Sequence, residues 1–218
     1  MSALDVMGRG LFVTIEGGEG SGKSIVVQRV VESLQGAGVD VVATKEPGGS
    51  LNGVGERIRE LLLDSGGSMG ARTEALLMAA DRAEHVETIV LPSLRTGQSV
   101  VCDRYLDSSV AYQGFGRGLG AGRVRDISLW ATDGLLPDLT VLLDVDPRVG
   151  LVRRASAGGL NRLDLEGLSF HRAVRDGFLR IAQMEPQRFV VVDASRSANE
   201  VFIDAFLQIA PLFGVSST

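Results

Sequence analysis

The sequence is poor in the residues that support disulfide, metal and histidine chemistry, with one cysteine and two histidines among 218 residues. Cys102 has no partner for an internal disulfide, which is typical of a reducing compartment. Its position in an apolar run predicts a small buried side chain without a chemical role. His85 and His171 have no partner at metal-binding or catalytic-triad spacing, so we expect both to be ordinary residues on a helix surface or boundary.

The chain also lacks long apolar runs and an excess of positive charge. No run approaches the roughly 20 apolar residues of a membrane span, and Met1–Arg9 has no continuous apolar core of a signal peptide. The formal net charge is −5, so any anionic ligand must be held by local cations rather than by a general positive field. We therefore expect a cytoplasmic protein that binds neither nucleic acid nor a membrane.

Internal repeats, proline-rich linkers and low-complexity tails are absent from the sequence. Hydrophobic residues make up 44% and charged residues 22%, an ordinary composition for a folded globular protein. The length suits one α/β domain, and we predict a single domain over residues 1–218.

Short apolar, β-branched runs alternate with helical patterns, which predicts a three-layer α/β/α fold with a parallel sheet covered on both faces. The five predicted strands are Leu11–Glu16, Asp40–Thr44, Ser99–Asp103, Leu139–Val145 and Phe189–Asp193. The predicted helices are Ser24–Gln35, Gly55–Leu63, Thr73–Arg95, Arg123–Thr132, Arg148–Ala155, Ser169–Met184 and Ala198–Phe213. Two glycine-rich stretches, Gly114–Gly122 and Gly158–Gly167, are predicted mobile segments, and the second interrupts the helices as a lid does.

One segment fits the phosphate-binding pattern G-x-x-x-x-G-K-[ST] between a predicted strand and a predicted helix. Its glycines allow backbone N–H groups to surround an anion, the helix N-terminus adds partial positive charge, and Lys23 adds a full charge. Ser24 is placed to give its hydroxyl to the Mg²⁺ that accompanies ATP, the expected phosphoryl donor. The predicted ligands of the ATP phosphates are Gly17, Gly18, Glu19, Gly20, Ser21, Gly22, Lys23 and Ser24.

A second carboxylate for Mg²⁺ is expected at the end of a neighbouring strand. Asp103 ends the apolar run SVVC, and Arg104 follows it at once. Open parallel sheets bind ligands at this carboxyl edge, which favours a metal ligand beside a phosphate-binding arginine. A capping aspartate next to a surface arginine is the alternative interpretation.

Several longer segments extend these two motifs: FVTIEGGEGSGKS, TKEPGGS, RIRELLLD, TEALLMAADRAEHV, VVCDRYLDSSVAYQG, PDLTVLLDVDP, NRLD and VVDAS. Through these segments the sequence resembles the bacterial thymidylate kinases over nearly its whole length. The resemblance implies the P-loop kinase fold, transfer of the γ-phosphoryl group of ATP to dTMP, and a homodimer. It leaves two alternatives: a P-loop kinase for another small acceptor, and a nucleotide-dependent switch, although no N-K-x-D run for guanine is present.

The resemblance implies roles for residues around the acceptor phosphate and sugar. Glu19 would reach the 3′-hydroxyl, Arg104 and Arg59 would bind the phosphate, and Tyr112 would crowd the 2′ position so that deoxyribose is preferred. The alternatives are a solvated loop carboxylate for Glu19, a helix-surface cation for Arg59 and a core aromatic for Tyr112. The same resemblance adds Lys45, Pro47, Ser108 and Asp164 to the predicted acceptor site.

Around the base, the resemblance implies a hydrogen bond from Arg82 to thymine O4 and polar contacts from Ser109 and Gln113. Met78 stands where many relatives have an aromatic that stacks on thymine. A flexible thioether can still cover a ring face. We therefore expect thymine binding with looser discrimination between bases.

The ATP side also departs from the family pattern. Ile25 replaces a second hydroxyl residue after Ser24, which predicts a modest loss of nucleotide affinity. On the acceptor side, Lys45 stands where arginine is commoner. The resemblance places Asp193 and Ala194 beside the adenine, mostly through backbone contacts.

A lid at about residues 156–167 is implied by the resemblance, with a cation that closes over the phosphates. Relatives without an arginine in the P-loop usually supply several from the lid, yet Ala155–Asn161 contains none. Arg153, Arg154 and Arg162 must then carry that charge. An arginine near the transferring phosphoryl group can raise the rate about 10³-fold, so we predict that Arg162→Ala lowers kcat more than it weakens ATP binding.

Overall fold

The computed structural model describes residues 9–50, 53–63 and 68–215. Most of Met1–Arg9 lies outside the described residues. So do Leu51 and Asn52 of the loop Gly49–Glu56, which we expect to be about two residues longer than in the family pattern. No helix among the residues described is long and apolar enough to cross a membrane.

Five strands form one parallel sheet in the order β2-β3-β1-β4-β5, which confirms the predicted fold class. The strands are β1 (Phe12–Gly17), β2 (Val41–Lys45), β3 (Ser99–Asp103), β4 (Leu139–Asp144) and β5 (Phe189–Asp193). Each predicted strand is present, with boundaries shifted by at most one residue. Because β1 lies between β3 and β4, its carboxyl end meets theirs at one edge of the sheet.

Nine α-helices are seen in the described parts of the chain. They are α1 (Lys23–Gly36), α2 (Val54–Leu63), α3 (Ala71–His85), α4 (Leu91–Arg95), α5 (Leu106–Ser109), α6 (Ala121–Ala131), α7 (Pro147–Ala157), α8 (Leu168–Met184) and α9 (Ala198–Ile209). The predicted helix Thr73–Arg95 is divided by a π-helical segment, Val86–Val90. This change coincides with Pro92, which has no backbone N–H and crowds the carbonyl four residues earlier. The last predicted helix ends in a 3₁₀ turn, Ala210–Phe213.

The prediction of a mobile loop at Gly114–Gly122 is wrong for much of its length. A π-helical segment, Val110–Gly116, continues α5, and α6 begins at Ala121. Its backbone is tightly packed, since a Cβ added at Gly116 would lie 2.7 Å from the Phe170 ring. Gly114 and Gly116 therefore allow close packing, whereas a Cβ added at Gly118, Gly120 or Gly122 would meet nothing within 4 Å.

Neighbouring residues of each central strand point to opposite faces of the sheet. Phe12 and Cys102 belong to the core beneath the π-helical segment Val86–Val90 and α8, and Val13 and Ile15 to the core beneath α1 and α9. Cys102 is buried and free, as predicted. The alternation produces the three layers expected from the sequence.

The expectation that both histidines lie on a helix surface or boundary is wrong. His85 is fully buried, with Nδ1 2.9 Å from Glu46 Oε1 and Nε2 2.7 Å from Thr44 Oγ1. His171 is 5% exposed, and its ring packs edge-on against Phe170. Each lies on the helix face that is directed toward the sheet or the P-loop, which their spacing in the sequence did not reveal.

Candidate active site

A cavity of about 490 Å³ opens at the carboxyl ends of β1, β2 and β3. Its lining includes Glu19, Gly20, Gly22, Lys23, Ser24, Ile25, Lys45, Glu46, Pro47, Arg59, Leu63, Met78, Arg82, Asp103, Arg104, Tyr105, Ser108, Ser109, Tyr112, Gln113, Arg154, Asn161 and Leu163. The cavity therefore runs from the end of the P-loop, through a group of arginines, to a polar and apolar recess beneath α3.

The P-loop connects Gly17 at the end of β1 to Lys23 at the start of α1. Gly20 has φ 65° and its backbone packs directly on the carbonyl of Gly150 in α7, so a side chain there would be both strained and obstructed. Lys23 Nζ donates a hydrogen bond of 2.8 Å to Gly18 O. Burial and the positive charge of Arg104 lower the pKa of Lys23 to about 8, which leaves it mostly cationic at neutral pH.

Ser24 and Asp103 bring two oxygen donors together beside the P-loop. Ser24 Oγ donates a hydrogen bond of 2.6 Å to Asp103 Oδ2. No group of three or more His, Cys, Asp or Glu side chains able to hold a metal occurs among the described residues. A hydroxyl and one carboxylate fit Mg²⁺ that keeps most of its ligands from phosphates and water, rather than an all-protein metal site.

Arg104 is held in an unusual backbone conformation, with φ 70°. Its N–H donates to Ile15 O at 3.0 Å, and its guanidinium donates to Gly17 O at 2.9 Å and to Glu19 Oε1 at 3.1 Å. Such a conformation in a non-glycine residue costs free energy and persists only where surrounding contacts impose it. It aims the guanidinium back over the P-loop.

Glu19 and Tyr112 complete a hydrogen-bonded group with Arg104. Tyr112 OH donates to Glu19 Oε1 at 2.6 Å, and Arg104 Nη2 donates to the Tyr112 oxygen at 3.1 Å. Burial favours a higher pKa for Glu19, but attraction to Arg104 and Lys23 and the hydrogen bond from Tyr112 outweigh it and lower the pKa to about 2. Glu19 is therefore a carboxylate at neutral pH.

Glu16 in β1, which had no predicted role, supports this group from beneath. Its carboxylate accepts hydrogen bonds from Tyr105 N at 2.8 Å, Ser108 N at 3.1 Å and Ser108 Oγ at 2.6 Å. These bonds cap the N-terminus of α5 and fix the backbone that follows Arg104. The signal available in the sequence was an acidic residue inside the otherwise uncharged strand LFVTIE.

Arg82 lies at the far end of the cavity and is 2% exposed. Its guanidinium donates to Glu46 at 2.8 Å, Ser109 Oγ at 2.9 Å, Ser128 Oγ at 3.0 Å and Tyr105 O at 3.2 Å. These bonds use Nε, one hydrogen of Nη1 and both of Nη2, so one Nη1 hydrogen is left for a ligand.

Gln113, fully buried on the π-helical segment, also lines the far end of the cavity. Its Nε2 donates to Glu74 Oε1 at 2.8 Å, whereas its Oε1 has no hydrogen-bond partner within the described chain. A buried acceptor without a partner is costly, so this atom is suited to receive a hydrogen bond from a ligand.

Comparison with known proteins matches this chain to the sequence family described as thymidylate kinase over residues 15–204. The chain belongs to the thymidylate kinase family. It is 53% identical over 193 residues to the thymidylate kinase of Clavibacter michiganensis subsp. michiganensis, covering 88% of this chain and 90% of that one. The thymidylate kinase of Deinococcus radiodurans is 48% identical, covering 89% and 94%. The crystal structure of the Ehrlichia chaffeensis thymidylate kinase aligns with a TM-score of 0.74 at 32% identity, covering 92% and 99%.

Most residues that the thymidylate kinase pattern predicted for the site meet at the cavity. Those in its lining are Glu19, Gly20, Gly22, Lys23, Ser24, Lys45, Pro47, Arg59, Met78, Arg82, Asp103, Arg104, Ser108, Ser109, Tyr112 and Gln113. Gly17, Gly18 and Ser21 lie within the P-loop, where Ser21 Oγ donates to Gly18 O at 2.9 Å. Ser108 is bound to both Glu16 and Arg104 and so supports other members of the site.

The predicted lid residues are placed differently from the family expectation. Arg162 does not line the cavity: it binds the buried carboxylate of Glu74 at 2.7 Å and donates to Leu62 O. Arg154 lines it instead and forms an ion pair of 3.0 Å with Asp164, which lies within the lid rather than on the cavity wall. The attraction of the Glu74 carboxylate is the physical reason for the position of Arg162.

Arg153 and the turn Asp193–Ala194 lie together outside this cavity. Arg153 Nη1 donates to Ala194 O at 2.7 Å, and Nη2 donates to Ser195 O at 2.8 Å. These hydrogen bonds join α7 to the turn that follows β5.

Several residues of the cavity lining had no predicted role. Glu46 lies between two predicted members and binds both Arg82 and His85. Its place in the motif KEPGG was the available signal. Asn161 and Leu163 belong to the segment NRLD, for which the resemblance implied a place in the lid but no role for either residue, and both line the cavity.

Proposed function

We propose that this thymidylate kinase family member transfers the γ-phosphoryl group of ATP to dTMP, giving dTDP and ADP. The observation that supports it most is that Lys23 of the P-loop and Arg104 line one cavity. Two polyanions must approach each other for phosphoryl transfer, and cations on both sides of the contact offset their repulsion. Lys23 suits the donor phosphates and Arg104 the acceptor phosphate.

The donor would bind with its phosphates in the P-loop, where backbone N–H groups and the α1 N-terminus favour an anion. Ser24 and Asp103 would hold Mg²⁺ there. Bound there, Mg²⁺ would offset the negative charge that develops on the phosphates during transfer. The turn Asp193–Ala194, bound by Arg153, would lie beside the adenine.

The acceptor phosphate would be bound by Arg104 and Arg59, with Lys45 and Pro47 beside them in the cavity wall. Arg59 Nη1 already donates to Pro47 O at 2.8 Å, which fixes its side chain along the wall. Glu19, as an ionised carboxylate, would accept a hydrogen bond from the 3′-hydroxyl. Two arginines of fixed orientation suit the several oxygens of one phosphate.

At the base end, the hydrogen-bonding groups favour thymine over cytosine. The free Nη1 hydrogen of Arg82 is a donor and the free Oε1 of Gln113 is an acceptor. Thymine presents the complementary pair, an O4 acceptor and an N3–H donor, whereas cytosine presents an N4 donor and an N3 acceptor. Ser109 supports Arg82, and Met78 provides the apolar surface that covers the ring.

In the transfer step, an oxygen of the acceptor phosphate attacks the γ-phosphorus in line with the bond to the β-phosphate oxygen. That bond breaks, and ADP leaves with its electron pair. No covalent intermediate with the protein is required, because Lys23 and Arg104 contribute by positioning both phosphates and stabilising their charge.

A panel of nucleoside monophosphates with MgATP, measured by ADP release, tests this proposal. We expect kcat/KM to be highest for dTMP, and Lys23→Met to lower turnover about 100-fold or more. A higher value for another nucleotide would favour the second candidate, a kinase for a different nucleoside monophosphate, which the replacement of a stacking aromatic by Met78 supports. Undiminished turnover in Lys23→Met would overturn both.

We further propose a cytoplasmic homodimer that acts on small molecules. Leu76 on α3 is 57% exposed and Leu61 on α2 is 61% exposed, which supports an interface on these helices. Analytical ultracentrifugation should give a dimer for the wild-type chain and a monomer for Leu76→Glu. A wild-type monomer at micromolar concentration would contradict the dimer.

A further inference from the structure

Glu74 on α3 is a fully buried carboxylate that no sequence pattern singled out. It accepts hydrogen bonds from Gln113 Nε2 at 2.8 Å and from Arg117 Nε and Nη2 at 3.1 and 3.0 Å. Arg162 Nη1 approaches the same carboxylate at 2.7 Å. One carboxylate thus joins the base end of the cavity, the loop before α6 and the lid.

The contact with Glu74 determines which atom Gln113 presents to the cavity. Burial favours a higher pKa for Glu74, but hydrogen bonds from Arg117, Gln113 and Arg162 outweigh it and lower the pKa, so the carboxylate stays ionised. An ionised carboxylate only accepts hydrogen bonds, so the Gln113 atom that faces it must be Nε2. Oε1, buried and without a partner in the described chain, is then left for a ligand.

The same carboxylate holds the lid at two points. Arg162 binds it directly, and Arg117 bridges it to the lid through an ion pair of 2.6 Å with Glu166. Arg117 also lies over the Phe170 ring, 4.6 Å from its centroid, at the start of α8. Removing the charge of Glu74 would therefore leave two buried or partly buried arginines without their shared partner.

We propose that Glu74 is a positioning residue that sets base specificity and couples it to the lid: it directs Gln113 Oε1 toward the base and anchors Arg162 and Arg117. This inference rests on the proposed function. With Oε1 facing the base, thymine N3–H finds an acceptor. If the Gln113 amide rotates, Nε2 faces the base instead. Its N–H group then opposes the N3–H group of thymine, which is also a donor, whereas it can donate a hydrogen bond to the N3 acceptor of cytosine.

The test compares Glu74→Gln with the wild-type enzyme in two measurements. The amide introduced by this substitution can either donate or accept a hydrogen bond, so it no longer fixes the orientation of the Gln113 amide. We expect the ratio of kcat/KM for dTMP to that for dCMP to fall about 10-fold or more. We also expect amide hydrogen exchange over residues 156–167, measured with dTMP and ADP present, to become at least several-fold faster.

A matched control is Glu185→Gln, which makes the same change in a carboxylate that also lies between two arginines, Arg125 and Arg188. We expect it to leave the dTMP to dCMP ratio and the lid exchange unchanged. If Glu74→Gln does not fold, Arg117→Gln replaces it, because this change removes the bridge to Glu166 but keeps the Glu74–Gln113 bond. It should speed lid exchange while the base ratio stays within about twofold of wild type.

The outcomes separate this inference from the proposed function. A wild-type enzyme that does not phosphorylate dTMP would reject the proposed function itself. The coupling alone would be overturned by a different result, in which the wild-type enzyme phosphorylates dTMP and Glu74→Gln folds. In that case the variant would keep either the wild-type ratio of kcat/KM for dTMP and dCMP or the wild-type hydrogen exchange of the lid. Unchanged lid exchange in Arg117→Gln would overturn it as well.

Discussion

Ser24 and Asp103, 79 residues apart in the sequence, are joined by a 2.6 Å hydrogen bond from Ser24 Oγ to Asp103 Oδ2. If both hold Mg²⁺, Ser24→Ala should raise the Mg²⁺ concentration for half-maximal rate about 10-fold or more. Chelation of the metal should stop turnover. Ser33→Ala, a hydroxyl deletion on the same helix, is the control and should keep the wild-type requirement. An unchanged requirement in Ser24→Ala would rule out this metal ligand.

The two lid-side arginines should have separable effects. Arg154 lines the cavity, whereas Arg162 is bound to Glu74 outside it. We therefore expect Arg154→Ala to lower kcat about 100-fold, and Arg162→Ala to act mainly by raising KM for dTMP. Steady-state kinetics of both variants provide the test. A larger loss of kcat in Arg162→Ala would restore the role that the family resemblance assigned to it.

Met78 offers a gain-of-function prediction. An aromatic ring at this position could stack on thymine, and such a contact contributes about 0.5–1.5 kcal/mol. Met78→Phe should therefore lower Kd for dTMP about 2-fold to 10-fold in calorimetric titration. Met78→Leu serves as the control, since it keeps an apolar side chain of similar volume without a ring. Weaker binding in Met78→Phe would show that the recess does not hold the base.

Tyr112 combines a ring at the proposed sugar site with a hydroxyl bound to Glu19. Tyr112→Leu removes the ring and should lower the preference for dTMP over ribothymidine monophosphate about 10-fold. Tyr112→Phe keeps the ring and should keep that preference while losing the hydrogen bond. If both variants keep the preference, another residue excludes the 2′-hydroxyl.

Glu16 and Glu19 should make the free energy of unfolding depend on pH in opposite directions. Burial and the negative charge of Asp107 raise the pKa of Glu16 to about 7, so the folded state binds more protons than the unfolded state between about 4.5 and 7. Its contribution to stability is full below pH 4.5 and is lost as pH rises through 7. The pKa of Glu19 is lowered to about 2, so its contribution is present above pH 4.5 and is lost as pH falls through 2.

Urea unfolding at a series of pH values from about 2.5 to 8 tests the direction of both effects. Each pKa unit corresponds to about 1.4 kcal/mol, so each effect is on the order of 3 kcal/mol. Glu19→Gln should reduce the loss of stability between pH 4.5 and 2.5 relative to wild type. Glu16→Gln should reduce the loss between pH 4.5 and 8. If the free energies of unfolding of wild type and both variants change with pH in parallel, the pKa shifts assigned to Glu16 and Glu19 are contradicted.

Local patterns in the sequence were sufficient for the five strands, because each buried strand is a short apolar run whose signal does not depend on its neighbours. The same holds for the P-loop, where glycine conformation, helix start and Lys23 all lie within eight consecutive residues. Patterns of this kind failed at Gly114–Gly122, where glycine permits close packing as readily as motion. At Gly116, only the contact with Phe170 in the folded chain decides between the two.

The sequence by itself determined the sheet, the phosphate-binding loop and the family, since these depend on periodicity and on contiguous residues. Tertiary structure alone decided the partners of the buried charges: Arg162 binds Glu74 rather than the cavity, and Glu46 joins Arg82 to His85. A buried charge must find an opposite charge wherever the fold places one. That partner can lie on any element and at any separation along the chain, so no local spacing reveals it.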